Sequence, residues 1–170
     1  MLRKSFALLL LLTTGSLLAQ AQSFALIDMD YILERIPAYQ QAAQRLDNTA
    51  QKWQDEIDQL TQEAKALYDD YQATASSLTE AQRASKEQAI VDKEKQASEL
   101  RRKYFGNEGE MTKLQDQLLT PIEDDIYDAV KAIAVSEGYA MVIDRASAGS
   151  IFFANPNIDI SDKILKKLGY

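Results

Sequence analysis

The sequence predicts an α+β protein that is mostly helical, with a long antiparallel coiled-coil hairpin inserted into a small β-rich head. A heptad seam between residues 39 and 78 indicates the hairpin, because its apolar positions recur at alternating spacings of four and three. A change from helical to strand-like period after Gly138 indicates the head. A repeat of 3.5 residues is the coiled-coil period, and so narrow a seam requires a partner helix. The seam consists of Tyr39, Ala43, Leu46, Ala50, Trp53, Ile57, Leu60, Ala64, Leu67, Tyr71, Thr74 and Leu78.

The first 21 residues have the features of a secretory signal peptide. Arg3 and Lys4 precede an apolar run at residues 6–12, and Ala19 and Ala21 are small residues at the positions that a signal peptidase reads. The run is too short to span a bilayer. We therefore predict cleavage after Ala21 and a soluble chain outside the cytoplasm. Loss of the two basic residues changes the formal charge from −7 to −9.

Composition argues against several function classes. The chain has no cysteine and no histidine, so it has no disulfide framework and lacks the usual general base and the commonest metal ligand. The acidic balance argues against non-specific nucleic-acid binding. The adjacent acids Asp69-Asp70 and Asp124-Asp125 point about 100° apart on a helix and cannot converge as an acid/base pair. We therefore predict no enzyme activity, no cofactor, no metal and no nucleic-acid partner.

The N-terminal elements follow from strand and capping signals. Residues 24–28 read as a buried strand, after which Asp28 or Asp30 caps a short helical turn. A metal-ligand reading of these two acids is less favoured, because no third ligand accompanies them. Pro37 marks the entry to the long helix. This helix should stop near Ser76-Ser77, since residues 77–80 and 79–82 both match a capping box and so begin a new helix.

The returning helix carries a weaker seam. Gly106 and Gly109 fall inside it and predict a bend or hinge in the arm. Pro121 should kink or restart the helix, and Gly138 should end it. Lys93 and Asn107 interrupt the second row of the seam. The apolar positions are Ile90, Ala97, Tyr104, Met111 and Leu118 at intervals of seven, with Leu100 and Leu114 between them.

The C-terminal part predicts a β-hairpin and a last helix. Residues 139–144 and 150–154 read as its two strands, and Ser161 or Asp159 caps the helix that follows. The head then comprises residues 22–38 and 119–170, and the arm comprises residues 39–118. So small a head without disulfides or metals predicts oligomerisation. Its interface is predicted at Phe24, Ile27, Phe152 and Phe153, which cannot all be buried in one head.

Short motifs along the whole predicted mature chain resemble the OmpH/Skp family of periplasmic chaperones. Their order and spacing carry the resemblance. It implies a homotrimer of tentacle architecture, in which the heads associate and three helical arms surround a cavity. It further implies an ATP-independent holdase for unfolded outer-membrane proteins in the periplasm of a Gram-negative bacterium. The motifs are residues 24–30, the charged hairpin, residues 118–122, residues 138–144, residues 151–156 and residues 159–168.

If three arms surround a cavity, side chains near the weaker return seam are candidates for many weak contacts with an unfolded client. Seam aromatics such as Trp53 are instead read as core. The alternative function is a structural adaptor or spacer that links cell-envelope partners. We do not extend the resemblance to lipid or lipopolysaccharide contact, because this chain is acidic and its basic residues at 93–103 read as a solvated helix face. The candidate client contacts are Tyr68, Leu78, Ile90, Val91, Tyr104 and Phe105.

Overall fold

The structure is a computed structural model that describes residues 23–170, so the predicted signal peptide and its cleavage site lie outside the described residues. It confirms a mostly helical α+β fold with a long helical hairpin. Across residues 23–170, none of the helices combines the length and apolar character that a membrane span requires. The elements are β1 (Ser23–Ile27), α1 (Met29–Leu33), α2 (Pro37–Thr74), α3 (Glu80–Phe105), α4 (Glu110–Glu137), β2 (Tyr139–Asp144) and α5 (Ser161–Leu168), with 3-10 turns at Ala75–Ser77 and Pro156–Ile158.

Helices α2 and α3 form the antiparallel hairpin. The 38 residues of α2 span roughly 57 Å at 1.5 Å per residue, and Pro37 is its first residue, as predicted. The second of the two possible capping boxes is the one that forms. The Thr79 hydroxyl accepts from the Gln82 amide at 3.4 Å, and the Gln82 side chain accepts from the Thr79 amide at 2.9 Å. Ser77 instead donates to the Thr74 carbonyl in the 3-10 turn.

The returning helix is interrupted at Gly106 and Gly109, so the prediction that both lie inside one helix is wrong. Helix α3 ends at Phe105, and α4 begins after Gly109, whose φ and ψ are −71° and 174°. The Gly109 amide donates to the Gly106 carbonyl at 2.8 Å, which closes a tight turn. A Cβ atom on Gly109 would lie 2.7 Å from the Tyr104 carbonyl oxygen. The close approach of two backbone segments therefore requires glycine here.

Helix α4 continues through Pro121, so the predicted restart at this residue is wrong. Proline removes one amide donor and leaves the carbonyl of Gln117 without its helical partner. Gln117 is exposed, so water can satisfy that carbonyl. The helix ends where predicted, at Gly138, which adopts a left-handed φ of 74°. The predicted boundary at residue 119 thus falls within one continuous helix.

Within residues 23–170 the sheet is a parallel pair of strands, so the predicted β-hairpin is wrong. Strand β1 pairs with β2, and residues 150–154 form no strand. The Asp144 carboxylate accepts from the amides of Ala146 and Ser147, which curls the chain away from the strand direction immediately after β2. Parallel strands require a crossover, and here the whole helical arm is that crossover.

The core draws on both ends of the described chain. Strand β1 and helix α1 pack against the second half of α4 and against α5. We call the residues around this core, 23–36 and 122–170, the head. The chain leaves the head through α2 and returns through α4. The buried core residues are Ala25, Ile27, Ile32, Ile36, Ile126, Ala129, Ile133, Ile160, Ile164 and Leu165.

Candidate functional site

A polar network holds together three distant segments of the head. Asp28 caps α1 by accepting from the Tyr31 amide at 3.0 Å, as one of the two predicted capping alternatives had it. Its other carboxylate oxygen accepts from Arg145 at 2.8 Å and 3.0 Å. The amide hydrogen bond from Tyr31 and the Arg145 guanidinium lower the pKa of Asp28. Asp159 accepts from the Ser161 amide and hydroxyl, although Ile160 occupies the N-cap position of α5.

One face of the sheet and the segment after it expose apolar side chains. Phe152 is 99% exposed and Phe153 is 85% exposed. Phe24 is paired with Met141 across the parallel strands, and about half of each side chain is exposed. Sequence reasoning missed Met141. The alternation of side chains along a strand could have found it, because residues that are paired in register share a face.

Ile27 does not belong to this exposed face, which corrects its predicted place at an oligomer interface. It is 7% exposed and packs in the core of the head. The cause is the two-residue period of a strand: Ala25 and Ile27 point to one face of β1, toward α4 and α5, and Phe24 points to the other. The apolar run in β1 concealed this division, because every residue from 24 to 27 is apolar.

The six predicted client contacts occupy different environments on the arm. Tyr68, Val91 and Phe105 are exposed, and Leu78 is half-buried at the tip of the hairpin. Ile90 and Tyr104 are buried between α2 and α3, so in this structure they cannot contact a client. Both are seam residues at intervals of seven from Ala97, and the burial of a seam against its partner helix explains their position.

An aromatic cluster lies next to the break between α3 and α4. The rings of Trp53 and Tyr104 stack with centroids 4.6 Å apart, and Phe105 contacts Trp53 edge-on at 6.3 Å. The Tyr104 hydroxyl donates to Glu56 at 2.7 Å, and this bond raises the pKa of Tyr104. The structure thus places Trp53, which sequence analysis assigned to the core of the seam, next to the predicted client contacts Tyr104 and Phe105 and close to the predicted hinge at Gly106 and Gly109.

One side of the hairpin carries a row of polar contacts between the two helices, which we call the ladder face. Lys93 donates to Glu63 at 2.6 Å and lowers the pKa of the Glu63 carboxyl, and Lys86 forms an ion pair with Asp70. The contact between Tyr104 and Glu56 continues the row. Sequence reasoning missed the row, although a signal was present. Its acids recur at intervals of seven at residues 56, 63 and 70, each one residue before a seam position.

Comparison with known proteins gives a consistent result. The family described as outer membrane protein (OmpH-like) matches residues 23–168. The chaperone protein Skp of Yersinia enterocolitica is 24% identical over 149 residues, which cover 88% of this chain and 87% of that one. Skp of Photorhabdus luminescens is 23% identical over 164 residues, covering 96% and 94%. A crystal structure of an OmpH-like outer membrane chaperone from Caulobacter crescentus CB15 has a TM-score of 0.66 at 12% identity, and the match covers 85% of this chain and 82% of that one.

Proposed function

Because this chain belongs to the OmpH-like outer membrane protein family, we propose that it is an ATP-independent holdase chaperone of the Gram-negative periplasm. It binds unfolded outer-membrane proteins and prevents their aggregation during envelope biogenesis. The names of its relatives support a chaperone role, since they are chaperone proteins matched over most of their length. The features of a signal peptide in residues 1–21 support export.

The observation that carries the proposal is the exposure of apolar side chains along a long two-helix arm. Tyr68, Val91 and Phe105 are exposed on helices whose surfaces are otherwise largely charged or polar. Scattered contacts of this kind are weak individually but add up when several arms act on one chain. They suit a chaperone that accepts many sequences and releases them without ATP.

Trimerisation through the head completes the proposed binding site, because three arms are needed to surround a cavity. Burying one phenylalanine side chain contributes about 2 kcal/mol, so Phe152 and Phe153 favour association strongly. Phe24 and Met141 extend the same apolar region across the sheet. We therefore propose these four residues as the subunit interface.

An aggregation assay tests the holdase function. A β-barrel outer-membrane protein is diluted from urea with and without residues 22–170 of this chain, in the absence of ATP, and light scattering is recorded. We expect stoichiometric amounts of trimer to suppress scattering. If a stable trimer leaves aggregation unchanged, the holdase proposal is wrong, and the alternative of an adaptor between envelope partners takes its place.

The substitution Phe152→Asp tests the interface. A charge at a buried interface position is costly, so we expect the variant to be monomeric by multi-angle light scattering. Val135→Asp is the matched control, because Val135 is also a largely exposed apolar residue but lies on α4 and is not one of the four residues of the proposed interface. A Phe152→Asp protein that remains trimeric would refute the assignment.

A further inference from the structure

The two sides of the α2–α3 hairpin carry different kinds of side chains. Ala64 and Ala97 face each other in the seam, and both are buried. Neighbouring residues on a helix point about 100° to either side of such a position. Glu63, which precedes Ala64, pairs with Lys93 on the ladder face. Lys65, which follows it, lies on the opposite side, which we call the groove face.

The groove face contains an open cavity of about 470 Å³ between the helices. The small side chains of Ala64 and Ala97 leave this space, since larger seam residues would fill it. Its volume falls in the range of about 300–1,000 Å³ that is typical of binding pockets for small organic groups. The cavity is lined by Thr61, Ala64, Lys65, Tyr68, Glu94, Ala97, Ser98 and Arg101.

The exposed apolar residues of the arm lie on this same side. Residues 91, 94, 98, 101 and 105 follow each other at spacings of three and four, so Val91 and Phe105 share a helix face with the lining residue Ser98. Tyr68 lines the cavity directly. Phe105 also borders a second depression along α2, together with Ala50 and Gln54. Exposed apolar side chains therefore recur along one side of the arm, whereas two ion pairs and the hydrogen bond between Tyr104 and Glu56 lie along the other side.

The charged residues around the cavity indicate which kind of ligand it can accommodate. Lys65 pairs with Asp69 at 2.7 Å, and the remaining charged lining residues, Glu94 and Arg101, have opposite signs. When Asp69 is counted with the lining residues, these charges sum to zero, which complements an uncharged occupant and disfavours a strongly charged one. The Ser98 hydroxyl offers a donor and an acceptor to a peptide backbone, whereas the Thr61 hydroxyl donates to the Ile57 carbonyl at 2.9 Å and offers only an acceptor.

We infer that the groove face is the client-contacting side of the arm. It binds an uncharged, extended segment of an unfolded outer-membrane protein and receives one aromatic or large aliphatic side chain in the open cavity next to Tyr68. The inference rests on the proposed holdase function and adds to it the face of the arm, the site on that face and the chemistry of the bound segment. The ladder face takes no part in client binding.

Site-specific cross-linking distinguishes the two faces. The chain contains no cysteine, so a single introduced cysteine is labelled uniquely. Ser98→Cys and Gln96→Cys form a matched pair, because both residues are exposed and flank Ala97 on opposite sides. Each variant carries a benzophenone probe and is mixed with a β-barrel outer-membrane protein diluted from urea. We expect several-fold more client cross-link from position 98 than from position 96.

Equal or reversed cross-linking, with aggregation still suppressed, would overturn the inference and leave the holdase function standing. Cross-linking of Ser98→Cys to a second copy of the chain, persisting when client is added, would also overturn it, because the groove would then be an interface between arms. If the unlabelled wild-type chain does not suppress aggregation of the client, the holdase function itself is refuted. The scattering assay therefore separates failure of the function from failure of the site.

A charge substitution at the same two positions provides a second readout. Ser98→Glu places a carboxylate at the rim of the groove, and we expect it to raise the Kd for the unfolded client roughly fivefold. Gln96→Glu adds the same charge on the other side and should leave the Kd unchanged. Both residues are exposed, so circular dichroism should show the same helix content in both variants. Equal Kd values for the two variants contradict the inference.

Discussion

Replacement of Gly109 by alanine tests the packing at the break in the arm. In the structure a Cβ atom at this position would lie 2.7 Å from the Tyr104 carbonyl oxygen and 2.9 Å from both the amide nitrogen and the carbonyl oxygen of Gly106. Real Cβ atoms essentially never approach within 3.0 Å of a heavy atom outside their own residue and its two chain neighbours. All three neighbours are backbone atoms, so no side-chain rotation can relieve the contact. The turn between α3 and α4 must therefore shift.

Two opposing effects determine the magnitude. The backbone angles of Gly109 are ordinary for any residue, so alanine gains about 0.4–1 kcal/mol by reducing the conformational entropy of the unfolded chain. Forcing backbone atoms apart at a packed site costs about 1–3 kcal/mol. We expect a net loss of about 1–2 kcal/mol in the free energy of unfolding.

Urea unfolding at a fixed protomer concentration, followed by circular dichroism at 222 nm, measures this loss. The concentration must be held constant because association changes apparent stability. Gly149→Ala is the matched control, since a Cβ atom there meets nothing within 4 Å and its φ is not left-handed. The control should be neutral or slightly stabilising. Equal midpoints for Gly109→Ala and Gly149→Ala would refute the steric argument.

Two further predictions concern the core of the arm and the polar network of the head. Ile57→Ala should lower the free energy of unfolding by about 3 kcal/mol, because Ile57 is fully buried. Leu67→Ala, at a partly exposed position, should lower it much less. Equal urea midpoints for the two variants would contradict this prediction. The amide bond from Tyr31 and the Arg145 contact lower the pKa of Asp28 below its unfolded value. Its contribution is therefore present above the unfolded pKa and is lost as the pH falls below about 4. In acid titrations followed by circular dichroism, Arg145→Met should weaken this dependence; an unchanged profile would count against the network.

Local signals predicted the arm well. The start of α2 at Pro37 and its end next to Ser76-Ser77 follow from a proline, a seam and a capping box, all of which act within a few residues. The seam itself identified Ile57 and Ala64 as buried. These features depend on contacts within one helix or between helices joined by a short turn, so the sequence contains them directly.

The pairing of the sheet could not be predicted in the same way. Strand pairing depends on contacts between segments that are distant in sequence. Phe24 pairs with Met141, and the whole arm lies between these two residues in the sequence. The segment at residues 150–154 has a strand-like pattern and lies closer in sequence, which made an antiparallel hairpin the simpler expectation. The Asp144 carboxylate decided otherwise by turning the chain at Ala146 and Ser147.

The glycines of the arm illustrate a different limit. Helix propensity assigns each internal glycine a cost of about 1 kcal/mol but does not say whether the helix bends or ends. The outcome depended on how closely the backbone at Gly109 could approach Gly106 and Tyr104, which is a property of three-dimensional packing. The same limit applies to the predicted client contacts. Ile90 and Val91 are adjacent in sequence, but Ile90 is buried and Val91 is exposed, and only the packing of the two helices decides which is which.

The residues that flank Ala64 show how the two sides of the arm differ. The residue before Ala64 is an acid that reaches Lys93, and the residue after it is a lysine that pairs within its own helix. Exposed ion pairs contribute at most about 1 kcal/mol each, so the ladder adds little to stability. Its larger effect is to place charge along one side of the seam. Exposed apolar side chains such as Tyr68 lie on the other side, which is the side that we propose for client binding.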